Sequence, residues 1–275
     1  MIDLPGQLPD YVGPAEEEAL LREVRASKAK WVQLSGRRLQ NHGGVVHTKG
    51  LIPAPLPSWL GPLLRRLAAE GGDDGGGEGS GGGGLYGGRP PNHVLVNSYH
   101  PGEGIMPHED GPAYHPVVAI LSLGAPAVLR FRRKPRRGGE ESADPEAASG
   151  PQRAGEAGEG TEATEGAGSS PPTAASAAPA SSPSPGSPSA GPAPVSASVL
   201  LQPRSLVVFR DEAFTHCLHS IDEVYEERLD ESVANLHMYG MEPGGLLPRG
   251  GERISLTVRR VARVLPSLLR PRGAA

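Results

Sequence analysis

Apolar residues fall along this chain in short β-branched runs bounded by Gly and Pro, a pattern that predicts strands. His93-Val94-Leu95-Val96-Asn97-Ser98-Tyr99, Val117-Val118-Ala119-Ile120-Leu121-Ser122-Leu123 and Ala127-Val128-Leu129-Arg130-Phe131 carry it first. Val199-Leu200-Leu201, Ser205-Leu206-Val207-Val208-Phe209 and Arg253-Ile254-Ser255-Leu256-Thr257-Val258 repeat it after a long gap. Several such strands predict a mainly β domain, a sandwich or barrel. A helix is predicted after Pro14, which suits a first turn, and Glu16, Glu17 and Glu18, whose charge complements the positive end of a helix dipole. Leu20, Leu21 and Val24 give that helix an apolar stripe, and a second, short helical connection is predicted over 61–70. Val224, Leu229 and Val233 stand near helical spacing and predict a helical excursion over 222–236. Trp31 and Trp59, in the Gly-, Pro- and polar-rich stretch 31–60, read as core anchors.

Composition removes part of the chain from the fold. The 275 residues would suit one or two domains. Yet 71–84 is almost entirely Gly with Asp73, Asp74 and Glu78, and 138–198 consists mainly of Gly, Ala, Ser, Pro and Glu. Neither can bury enough apolar surface to offset its ordering entropy, so both are expected to be disordered. One domain is left. It is built from 1–60, the connection 61–70 and a core of 85–137 with 199–265, followed by a tail over 266–275.

The net charge of −4 hides a split, since eight acidic residues against Arg153 alone lie within 138–198. The remainder is mildly basic, with Arg130, Arg132, Arg133, Lys134, Arg136 and Arg137 concentrated just before the acidic segment. That run is either a solvated edge or a surface that tracks phosphates. Cys217 is the only cysteine, which excludes an intramolecular disulfide and suits a reducing compartment as a buried free thiol. The N-terminus lacks the basic and apolar regions of a signal peptide, and no apolar run reaches the length of a membrane span. A soluble intracellular monomer of the cytoplasm or nucleus, without membrane contact, is expected.

Candidate chemistry centres on His108 and Asp110. Residues two apart on a strand face one side, so this pair can grip one metal while Glu109 points away. A further histidine would complete the two-imidazole, one-carboxylate set that holds a non-heme Fe(II) and leaves one face open. His216 and His219 compete for that place, and on a strand only one could reach the metal. Alone, an H-x-D could equally be a surface turn before Gly111-Pro112. The flanking residues change this. Asn97-Ser98-Tyr99 and Gly102-Glu103-Gly104-Ile105-Met106-Pro107-His108-Glu109-Asp110 resemble the N-x-Y…G-x-x-I-x-x-H-x-D block of the AlkB-type Fe(II)/2-oxoglutarate dioxygenases, and Arg253 to Arg259 is similar to their R-x-x-x-x-x-R signature.

This resemblance implies a double-stranded β-helix (jelly roll) with a flanking N-terminal helix, a metal at its mouth and a substrate lid formed by residues near 31–60. It implies Fe(II) held by His108, Asp110 and, by its spacing from the strand ending at Phe209, His219. It places 2-oxoglutarate against Asn97 and Tyr99, with Arg253 pairing a carboxylate and Arg259 completing the signature. Ser255 stands where the founding member has asparagine. Arginine's planar fork suits carboxylate geometry, and Arg253, Ser255, Thr257 and Arg259 share one strand face. With O₂ as the other cosubstrate, the implied reaction hydroxylates a C–H bond, most simply in oxidative N-demethylation of alkylated nucleic acid, either DNA or RNA. A protein-directed oxygenase, or a nucleic-acid-binding module with a slow or vestigial iron site, are the competing readings, because a fold does not specify its substrate.

Overall fold

The computed structural model describes residues 6–70, 84–135 and 196–266. Nearly all of both segments expected to be disordered, 71–84 and 138–198, lies outside the described residues, as does the tail beyond Leu265-Pro266. In chain order the elements are β1 (Gly6–Leu8), α1 (Pro14–Ala26), β2 (Val32–Leu34), β3 (Arg37–His42), β4 (Gly44–His47), β5 (Gly50–Pro53), α2 (Gly61–Ala69), β6 (His93–Tyr99), β7 (Ile105–His108), β8 (Val117–Leu123) and β9 (Ala127–Arg133). After the gap come β10 (Ser196–Leu201), β11 (Leu206–Arg210), α3 (Asp211–Thr215), β12 (Cys217–Ile221), β13 (Glu226–Leu229), β14 (Gly245–Pro248) and β15 (Arg253–Arg259).

Two antiparallel sheets dominate, one in the order β1-β11-β8-β15-β6-β3-β2 and one in the order β10-β9-β12-β7. Strand alternation divides the large sheet cleanly. Val94, Val96, Ile254, Leu256 and Val258 pack with Leu20 and Val24 of α1 and Leu63, Leu64 and Leu67 of α2. A second apolar cluster joins the sheets, with Val118, Ile120 and Val207 from the large sheet and Leu129, Phe131, Val199 and Ile221 from the small one. The helices therefore cover one face and the small sheet the other, the two-layer logic of a sandwich. This is the jelly-roll architecture the strand pattern and the resemblance imply. Trp31 and Trp59 are partly buried against the helix-side cluster.

Two expectations need correction. Residues 222–236 do not form a helix: β13 pairs with β14, and only a short 3₁₀ turn at Leu236–Tyr239 follows. In β13 the inward positions are Glu227 and Leu229. The buried Glu227 carboxylate pairs with Arg249, so one core position is written as a charge and the period of two is hidden from the sequence. Second, β10 starts at Ser196, inside the segment assigned to the insert. Ser196 and Ala197 stand opposite Arg132 and Phe131, because backbone pairing needs no apolar side chain. The basic run, which the sequence leaves open between a solvated edge and a phosphate-tracking surface, is mostly ion-paired among its described members. Arg130 pairs with Asp222, Arg133 with Glu212 and Lys134 with Glu109, which leaves Arg132 as the exposed charge among the described members of the run.

The register brings the two ends of the long segment side by side, Arg132 opposite Ser196. Replacing 136–195 by a short Gly/Ser turn should leave the thermal midpoint and 2-oxoglutarate turnover nearly unchanged, since loop length enters stability only logarithmically. Insoluble protein, or loss of the cooperative melt, would show that the segment packs against the domain.

Candidate metal centre

The site is built on alternation in two neighbouring strands of the large sheet. In β15 the residues opposite the helices are Arg253, Ser255, Thr257 and Arg259, all buried. In β6 the same face carries His93, Leu95, Asn97 and Tyr99, in register with Arg259, Thr257, Ser255 and Arg253. Apart from His93, these two rows line a cavity of about 210 Å³ whose far wall comes from the small sheet. A larger hollow of about 670 Å³ beside Trp59 carries no comparable convergence of acidic and imidazole groups.

Strand β12 pairs with β7 so that His219 faces His108 directly. Strand β7 ends at His108, and Asp110 follows in the loop. One ligand atom from each of His108, Asp110 and His219 lies within 4.8 Å of the others, close enough to hold one ion. His216 is not among them; it caps α3, outside β12. His108 Nδ1 donates to the Met106 carbonyl at 2.9 Å, the tautomer that leaves its Nε2 lone pair free. His219 is buried against Phe131 and Phe209, with ring centroids 6.3 and 5.0 Å away. Burial first, and then the neighbouring His108, push its pKa down to about 3, so the ring stays neutral and able to ligate.

The donor set passes a direct test of fit to a metal. Asp110 Oδ1 forms an ion pair with Arg259 Nη2 at 2.6 Å, with both side chains only 5–7% exposed. Its other oxygen, Oδ2, is buried with no hydrogen-bond partner in the structure. A desolvated carboxylate oxygen beside two neutral imidazoles is costly unless a cation completes it. Asp110 therefore fits Fe(II).

A second incomplete group lies deeper. Arg253 is 2% exposed; its Nη2 donates to Ser122 Oγ at 2.9 Å while Nε and Nη1 are buried and unpartnered. Its guanidinium sits 5.5 Å from the centre of the Tyr99 ring. Burial draws its pKa down to about 10, which leaves it cationic near neutrality. A buried cation with two unused donors, edged by Tyr99, Ser255 and Asn97, fits a carboxylate. Arg259, which the signature grouped with the cosubstrate residues, pairs with Asp110 through Nη2, and its Nε is buried and unpartnered.

Among the lining residues that the sequence reading did not name as site members, two make specific contacts there. Arg37 reaches in from β3, part of the stretch expected to form the lid, and its Nε donates to Asn97 Oδ1 at 3.1 Å. Tyr114 stacks on Arg259, with the guanidinium 5.0 Å from its ring centre, and its hydroxyl lies 3.4 Å from His93 Nδ1. Neither sits in a pattern that a period of two would select. Cys217 is buried, and that burial raises its thiol pKa; it does not line the cavity.

His93 gives the site a measurable acid limb. Burial, and after it the Arg259 charge, lower its pKa to about 4. Its folded pKa is thus below the unfolded value of roughly 6.5. The stability it contributes is present above that value and is lost as pH falls from roughly 6.5 towards 4. The loss is on the order of 1.4 kcal/mol per pH unit. Denaturant melts of the metal-free protein at a series of pH values should become shallower in their pH dependence, by about one proton, in His93→Gln. An unchanged slope would contradict the assignment.

Comparison with known proteins identifies the family. The family model described as 2OG-Fe(II) oxygenase superfamily matches residues 11–259. The chain is 35% identical over 259 residues, 94% of its length and 86% of the relative's, to a Danio rerio protein named "Probable RNA/DNA demethylase ALKBH6". It is 32% identical over 133 residues, 46% of its length and 56% of the other's, to "Uncharacterized protein L905" of Acanthamoeba polyphaga mimivirus. A solved structure described as "The structure of OsALKBH1" superposes at a TM-score of 0.45 and 11% identity, over 94% of this chain and 99% of that one. With a family model matching residues 11–259 and a 35% identical relative covering 94% of its length, the chain belongs to the 2OG-Fe(II) oxygenase superfamily and, within it, to the AlkB-type dioxygenases.

Proposed function

We propose that this dioxygenase hydroxylates the N-alkyl group of an alkylated nucleic acid and so releases the alkyl carbon as an aldehyde. His108, Asp110 and His219 hold Fe(II) in this reading; Arg253 takes a carboxylate of 2-oxoglutarate, with Asn97, Tyr99 and Ser255 around it. The unpartnered Asp110 Oδ2, set within one cavity with the two unused Arg253 nitrogens, carries the metal and cosubstrate assignments. Fe(II) with 2-oxoglutarate supplies the oxidative chemistry, in which O₂ and the cosubstrate give succinate, CO₂ and one oxygen atom for a substrate C–H bond. The residues of the chain do the rest. Arg259 fixes the Asp110 carboxylate, the Met106 carbonyl fixes the His108 tautomer, and Phe131 and Phe209 keep water from His219. On an N-methyl group the hydroxylated product is a hemiaminal, which collapses to formaldehyde and the free amine.

The nucleic-acid substrate is supported by the name borne by the 35% identical relative, and less by charge, since most of the described basic run is already paired. A panel of N-methylated RNA and DNA oligonucleotides, incubated with Fe(II), 2-oxoglutarate and O₂, should lose methyl groups in step with succinate formation by mass spectrometry. Intact oligonucleotides alongside oxygen added to peptides would transfer the activity to protein.

A further inference from the structure

We infer that Arg37 is a positioning residue, which locks the Asn97 side-chain amide so that its NH₂ group, not its oxygen, faces the cosubstrate. This rests on the proposed cosubstrate role of the pocket. A guanidinium can only donate hydrogen bonds, and Arg37 Nε meets Asn97 Oδ1 at 3.1 Å. The reversed amide would set donor against donor. With Oδ1 held, Nδ2 donates to Thr257 Oγ1 at 3.4 Å, and both residues line the cavity that holds Arg253. A carboxylate accepts only, so an Asn97 oxygen turned inward would repel it, whereas the NH₂ adds a second donor beside Arg253. One half-buried arginine at the cavity rim thereby sets the polarity of a buried wall.

The placement of Arg37 is itself built into the backbone. Strand β3 pairs with β6, Leu39 opposite Asn97, which brings the start of β3 to the cavity rim. The turn before it is pressed onto the loop leading into β7, where Gly104 N donates to Gly36 O at 3.0 Å. A Cβ on Gly36 would lie 2.7 Å from the Gly104 carbonyl oxygen and 2.9 Å from Glu223 Oε1. Only glycine allows this approach, and it fixes the residue that follows. Among the described residues no carboxylate pairs with Arg37, so its bond to Asn97 has no charged competitor.

The test is anaerobic titration of 2-oxoglutarate into the full-length Fe(II) protein, read by the visible charge-transfer band. Arg37→Met should weaken 2-oxoglutarate roughly tenfold, the scale of one charge-assisted hydrogen bond, with Fe(II) affinity and thermal midpoint unchanged. Arg37→Lys should recover most of the loss, because an ammonium also donates to Oδ1. In an Asn97→Ala background, Arg37→Met should cost little more, since the amide it orients is gone. Full loss in that background would overturn the inference and make Arg37 a direct contact of the ligand; weakened Fe(II) binding in Arg37→Met, or no loss of 2-oxoglutarate affinity at all, would also overturn it. Failure of the wild-type protein to bind 2-oxoglutarate would instead reject the proposed function, and this inference with it.

Discussion

Arg253→Ala should weaken 2-oxoglutarate binding by about two to three orders of magnitude while leaving Fe(II) binding intact. The guanidinium is 2% exposed, and two of its three nitrogens have no protein partner. The ligand carboxylate would then be buried without a counter-charge, and breaking a desolvated ion pair typically costs about 3–5 kcal/mol. None of the metal-facing atoms is touched by the change. Arg253→Lys should restore only part, because an ammonium is a point charge and cannot offer two parallel donors. Isothermal titration of 2-oxoglutarate into each Fe(II)-loaded variant measures the effect. An unchanged affinity in Arg253→Ala would remove the cosubstrate from this end of the cavity.

His219→Ala should lower metal affinity by at least about a hundredfold, beyond the usual effect of losing a group that merely supports a ligand. His216→Ala should leave it nearly intact. The two histidines are three residues apart, yet only His219 faces His108 across β12 and β7, with ring centroids 4.2 Å apart. His216 stands at the end of α3, on the far side of the Cys217 that begins β12. Equilibrium dialysis against Mn(II) or Co(II) reads this without any turnover. The opposite pattern, with His216 required and His219 dispensable, would shift the assignment of the third ligand.

How much of this was legible in the sequence depended on where the buried side chains were apolar. Strands β6, β8 and β15 announce themselves because one face, Val94 with Val96 or Ile254 with Leu256 and Val258, is wholly aliphatic. The same alternation told where the polar row of β15 would point, and Arg253, Ser255, Thr257 and Arg259 do share one wall. Strand β13 was invisible, because its inward residue is Glu227, which Arg249 makes tolerable in the interior. A buried charge pair erases the periodic signal on which strand prediction depends. Long-range pairing was equally hidden. Nothing local to Arg37 says that it meets Asn97, 60 residues away, and nothing near Tyr114 says that it covers Arg259. The resemblance could suggest the ligands, but only the register of β12 against β7 and β9 brings His219 opposite His108. Charge was the weakest guide. Carboxylates distant in sequence had already claimed Arg130, Arg133 and Lys134.

The most direct test of the central claim, that this cavity is an Fe(II) and 2-oxoglutarate site, is a single anaerobic spectrum. Purified metal-free protein receives one equivalent of Fe(II), then 2-oxoglutarate, with the visible region recorded after each addition. A charge-transfer band should appear only after both are present. It should saturate at one equivalent of each, and be missing from Asp110→Ala under the same conditions. A folded wild-type protein that develops no band, or an Asp110→Ala variant that develops the full band, would contradict the assignment.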